Sequence, residues 1–191
     1  MNSKLSSLDF LIPESVNALA KFDDFEFKLK ILSWPAAGRW PHVRVWVDAE
    51  VVWDNMVVEQ AEISYAKKIK EFNTAVSLRI EYCDKKDDQD TIVDVSGQII
   101  ENQHIEIAQL FLNDVEVVAA GSIYQLGRYH MNLSEPKRQY FLEHGFSVEP
   151  SHSLSMFENG EWRLTIPTPV VSHLAGLKSK YDIHESWDSW I

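Results

Sequence analysis

Cysteine is almost missing from this chain: Cys83 is the single one in 191 residues. No disulfide can close within the chain, and no cluster of thiolates can hold zinc. Positive charge is also scarce, with 18 Lys and Arg against 29 Asp and Glu, a net charge of −11. A surface of that sign repels phosphate, which speaks against nucleic acid as a partner. No run of 18 apolar residues occurs, so no transmembrane helix and no membrane partner is read. The opening stretch MNSKLSSLDFLIPESVNALAKF carries Asp9 and Pro13 inside its apolar part and no small-residue cleavage site, so it does not read as a signal peptide. Catalytic signatures are lacking too. There is no Gly-x-Ser-x-Gly elbow, no His-Glu-x-x-His pair, no Gly-x-Gly-x-x-Gly and no phosphate-binding loop.

What remains is an ordinary globular balance, 45% hydrophobic and 25% charged, with enough length to bury a core. Residues 1–21 read as an N-terminal arm, 22–177 as a β-sandwich domain, and 178–191 as a C-terminal arm. The strands announce themselves by period-two alternation. Phe25, Phe27, Leu29 and Ile31 alternate with Glu26, Lys28 and Lys30. Val43, Val45 and Val47 alternate with Arg44 and Trp46, and Asp48-Ala49 reads as a tight turn that returns the chain through residues 51–58. Residues 61–70 fit a short helix or a strand. Val76, Leu78, Ile80 and Tyr82 share one face of a further strand, and Ile105, Ile107 and Gln109 one face of another. Ser96-Gly97 and Asn113-Asp114 mark turns. Six or seven strands between residues 22 and 120, punctuated by regular turn signals, predict an all-β antiparallel sandwich. Its core is expected to include Val43, Val45, Val47, Leu78, Ile80, Ile105 and Ile107. Residues 122–152 show no clear periodicity. Asn159-Gly160 predicts a late hairpin near residues 153–166, because that dipeptide suits a two-residue turn.

Three residue groups could carry function. Asp84, Asp87, Asp88, Asp90 and Asp94 crowd one loop, and calcium takes six to eight hard oxygen ligands of this kind, although the spacing is not that of an EF-hand. Seven tryptophans are many, and Trp34, Trp40, Trp46 and Trp53 flank turns, where indole faces can stack on sugar rings, anchor an interface, or pack into the core. In the C-terminal arm Tyr181, Trp187 and Trp190 are separated by polar residues and read as anchors for a partner, the alternative being an arm folded back over an edge of its own sandwich. The seven histidines are scattered and read as structural or solvent-facing. Cys83 ends a strand beside Asp84, an anion that raises a thiol pKa, and reads as a small strand residue.

Residues 25–118 resemble the xylan-binding-type, calcium-dependent carbohydrate-binding modules. The resemblance lies in Val43-Arg44-Val45-Trp46-Val47-Asp48 followed by Val51-Val52, in Leu78-Arg79-Ile80-Glu81-Tyr82, and in Ile105-Glu106-Ile107 running to Leu112-Asn113-Asp114-Val115. It implies a jelly-roll-like β-sandwich, a glycan ligand and calcium as cofactor. Ala49 stands where that family has glycine, and the longer 84–94 loop replaces its compact Asn-Asp calcium run. Residues 90–107 also resemble a recurrent stretch in small β-rich virion proteins of tailed bacteriophages, and Asn159-Gly160-Glu161-Trp162 is in keeping with it. Two functions follow. The first is a non-enzymatic structural protein of a phage virion, tail or capsid-associated, made in the host cytoplasm, with copies of itself or other virion proteins as partners. The alternative is a carbohydrate-binding module for glycan recognition or host adhesion, cytoplasmic or secreted. A hydrolase or lyase has no paired nucleophile and base to support it.

Overall fold

The computed structural model describes residues 24–69, 75–117, 127–168, 170 and 173. The alternation seen in the sequence becomes strands with one dry and one wet face. Strand β1 (Asp24–Trp34) buries Phe25, Phe27, Leu29 and Ile31. β2 (His42–Val47) turns through Asp48-Ala49 into β3 (Glu50–Met56). The turn needs a left-handed residue, and Asp48 supplies it at φ 55°. Residue 49 is outside that region, so alanine serves where glycine is not required. β4 (Gln60–Lys68) resolves the helix-or-strand ambiguity in favour of strand for residues 61–68. β5 (Ala75–Cys83), the short hairpin β6 (Thr91–Val93) and β7 (Ile99–Asn102), and β8 (His104–Leu112) follow. β9 (Val115–Glu116) returns from β8 through Asn113 and Asp114, both left-handed, as a two-residue turn requires.

Apart from the two-stranded β6–β7 sheet, the strands form two antiparallel sheets. One has the order β11-β8-β1-β4, with β9 also on β8. The other runs β10-β12-β5-β2-β3. Here β10 is Arg128–Met131, β11 Ser155–Met156 and β12 Gly160–Pro167. The all-β antiparallel sandwich expected from the sequence is the observed architecture. The seven core residues expected are all buried, none more than 1% exposed. They belong to one cluster with Tyr82, Leu110, Leu112, Trp162, Leu164 and Ile166. Fully burying an aliphatic side chain of this kind contributes roughly 1.5–3 kcal/mol.

Three local expectations are corrected. Gln109 is exposed and Leu110 buried instead, because β8 is bulged: Lys30 pairs with Gln109 but Ile31 pairs with Ile107. Ala108 is the extra residue, and past it the inward face changes parity. The late hairpin at Asn159-Gly160 does not form. β11 pairs with β8 in the first sheet, whereas β12 enters the second sheet between β10 and β5. Gly160 is there for closeness: a Cβ on it would lie 2.3 Å from the His130 carbonyl oxygen. Finally, the featureless stretch 122–152 contains β10 and a helix, α1 (Glu135–Glu143). Ser134 starts it, a proline occupies its first turn, and left-handed Gly145 follows its end. None of its residues is buried, so it has no apolar stripe for a periodicity argument to find.

Candidate functional site

At the end of the sandwich where β2 starts and β5 stops, the 35–41 loop, the end of β3 and the 84–90 loop surround an open cleft of about 490 Å³. Each wall is anchored from behind. Gln103 is buried, donates from Nε2 to the Arg39 carbonyl (2.8 Å), and accepts the Tyr82 hydroxyl at Oε1 (2.9 Å). The 84–90 loop is clipped by Asn159, which accepts Lys85 N–H (2.9 Å) and donates to the Lys85 carbonyl (2.8 Å). Lys85 itself is buried, its ammonium donating to Asn102 Oδ1 (2.6 Å) and the Phe157 carbonyl (2.5 Å). Burial holds its pKa below the usual lysine range.

The floor of the cleft is polar. His42 lies between two carboxylates, with Nδ1 2.6 Å from Asp84 and Nε2 2.7 Å from Asp54. Asp54 in turn accepts Arg44 Nε at 3.2 Å. Cys83 Sγ is 3.6 Å from His42 Nδ1. His42 and Cys83 are register partners on adjacent strands. Both follow buried-alternating patterns that put them on the outer face. Alternation would send Asp84 to the opposite face, but its backbone is left-handed at φ 65°, which turns the carboxylate back beside His42. This is not an activated nucleophile. The nitrogen that would accept the thiol proton already faces Asp84, and burial, then Asp84, push the Cys83 pKa up to about 11.

The five aspartates of the acidic loop do not form one cluster, although Asp84 and Asp90 both line the cleft. Asp84 faces His42. Asp87 pairs with Lys137 of α1 (2.5 Å). Asp88 is exposed. Asp90 is fully buried and caps its own loop, its Oδ2 accepting Lys86 N–H at 2.7 Å. Asp94 folds the β6–β7 turn, accepting Ser96 N–H, Ser96 Oγ and Gln98 N–H. Those bonds hold its pKa below the ordinary carboxylate range, that from Ser96 foremost. Among the described residues, the metal-capable trio that does converge is His42, Cys83 and Asp84, with ligand atoms within 4.8 Å of one another.

Nor do the four tryptophans share a surface. Trp40 lines the cleft. Trp46 lies on the outer face of the second sheet, donating to Glu81 (3.0 Å) under the Arg79 guanidinium (4.2 Å). Trp53 opposes Val45 and packs on the core. Trp34 belongs to the other sheet and stacks on His104 at 4.4 Å, with Phe157 beyond. Tyr181, Trp187 and Trp190 lie outside the described residues. His42, Arg39 and Asp54 were missed in the sequence because the cleft gathers the 35–41 loop and the ends of β2, β3 and β5, and β5 is far from the others in the chain. Only the pairing of their ends could have pointed to the cluster.

No protein-family model matches the sequence, and no curated protein does either. One solved structure is similar at a distance: the selenomethionine form of vCBM60, from work on circular permutation between two families of calcium-dependent carbohydrate-binding modules. It aligns with a TM-score of 0.41 and 8% identity, over 73% of this chain and 89% of that chain.

Proposed function

We propose that the protein is a non-catalytic β-sandwich binding module whose end cleft takes a carbohydrate. The observation that carries this reading is the placement of Trp40 in one cleft with Arg39, Asn55 and the Asp54 and Asp84 carboxylates. An indole offers an apolar face to the C–H side of a sugar ring. Carboxylates, amides and a guanidinium offer acceptors and donors to its hydroxyls. A few polar groups converging beside an aromatic wall are what an orienting small-molecule site requires. The high thiol pKa of Cys83 and its occupied histidine neighbour support a role without chemistry at this place. The terminal segments on which assembly into a phage particle would depend lie outside the described residues, so the reading does not extend to it.

The test is a glycan array followed by calorimetry on the full chain, with and without calcium. Binding to a polysaccharide or oligosaccharide is expected, weakened at least tenfold by Trp40→Ala and unchanged by Trp34→Ala. No glycan ligand, or equal binding by the Trp40 variant, would overturn the reading.

A further inference from the structure

We propose that His42, Cys83 and Asp84 form a binding site for one borderline divalent transition-metal ion, Zn²⁺ being the representative. The three ligand atoms already converge within 4.8 Å, with the sulfur–nitrogen distance at 3.6 Å. Two of the ligands are carried by paired strands, which hold a constellation more tightly than loops do. The third is turned toward them by the left-handed backbone of Asp84. Thiolate, imidazole and carboxylate together are a zinc-type donor set. Calcium, which takes oxygen ligands, does not match a sulfur and a ring nitrogen.

Two further observations point to a cation. Asp54 is held on the far ring nitrogen of His42, at 2.7 Å, and is itself fixed by Arg44. A carboxylate on the second nitrogen is the support that orients a metal-binding histidine and raises its basicity. Carboxylates also outnumber guanidinium groups around the cleft, with Asp54, Asp84 and Asp90 against Arg39 in its lining and Arg44 on Asp54. Asp90 is fully buried, and its Oδ1 is ion-paired with Arg39 Nε at 3.1 Å. An ion would sit between His42 Nδ1 and Asp84 with Nε2 donating to Asp54, so Nδ1 coordinates through its lone pair and any proton on it leaves to solvent. The thiol proton leaves to solvent, since a coordinated thiol is deprotonated. Three protein ligands leave a tetrahedral ion one position facing the cleft, open to water or an exogenous donor.

Cobalt titration of the untagged, reduced full chain tests this. One equivalent of Co²⁺ is expected to bring up a thiolate-to-cobalt charge-transfer band and the visible bands of tetrahedral cobalt, both removed by added Zn²⁺. The charge-transfer band should vanish in Cys83→Ser. Cobalt affinity should fall at least tenfold in His42→Ala, and by about 10–100-fold with unchanged stoichiometry in Asp54→Asn. Zn²⁺ should also protect Cys83 of the unaltered chain from iodoacetamide, a readout that needs no variant to fold. Absence of the charge-transfer band, its survival in His42→Ala, or alkylation at the same rate with and without Zn²⁺ would overturn the proposal. No sugar is present in these measurements, so their outcome stands apart from glycan binding.

Discussion

Ile80 lies at the middle of β5 with Val45 of β2 on one side and Trp162 of β12 on the other, and it is fully buried. Changing it to alanine removes its side chain beyond Cβ. At about 0.8 kcal/mol per buried methylene, the three lost carbons account for roughly 2.4 kcal/mol. A cavity contribution adds to this wherever the surroundings cannot collapse. Both flanking strands are held by continuous antiparallel ladders, so collapse is restricted, and the expected loss is about 3–4 kcal/mol. The measurement is urea unfolding followed by far-UV circular dichroism, with a lower midpoint and an unchanged slope. Ile100→Ala is the control. The same atoms are removed there, but Ile100 is 61% exposed, and the change should stay within about 0.5 kcal/mol. A loss below about 1 kcal/mol at Ile80, or equal losses at both positions, would refute the packing argument.

Lys85→Met should lower stability at neutral pH by about 1–3 kcal/mol, because methionine keeps the packing but leaves the Phe157 carbonyl without the ammonium donor. The sign of its pH effect is fixed: burial lowers the folded-state pKa below 10.5, so between the two values the unfolded chain binds more protons and the native protein gains stability as pH rises. Unfolding curves from pH 7 to 10.5 should show this gain in the unaltered protein and not in the variant; parallel curves would count against it. Gly160→Ala should cost at least about 2 kcal/mol, since the added Cβ meets the His130 carbonyl oxygen and the Met131 Cα at 2.3 and 3.0 Å. Faster amide exchange along residues 128–131 would locate the damage, and a variant as stable as the parent would show that β10 and β12 are not so close.

Period-two patterning is a local property, and it was enough to place the core faces of β1, β2 and β5 and the sandwich class, because each inward residue reports on its own strand. Turn chemistry was legible where a left-handed residue is needed, at Asp48 and at Asn113-Asp114. The same vocabulary misled at Asn159-Gly160. There the asparagine is used as a clip on Lys85 and the glycine as clearance for a neighbouring strand, and neither demand differs in sequence from a hairpin turn. Helix α1 escaped because its end signals, Ser134, Pro136 and Gly145, bracket a segment without a buried face.

The cleft was beyond local reasoning. A run of five aspartates suggests one site, but hydrogen bonds to Lys137, to the 84–90 loop and to the β6–β7 turn draw them into separate tasks. Conversely His42 and Cys83 are 41 positions apart and become partners through the pairing of β2 with β5. From the sequence alone came the fold class, the buried faces of β1, β2 and β5 and the sign of the net charge, which depend on residue type and, for the faces, on its period along one strand. Which strands lie side by side depends on the best joint packing of two sheets. The company of Trp40, His42, Asp54, Cys83 and Asp84 was therefore decided by the tertiary structure.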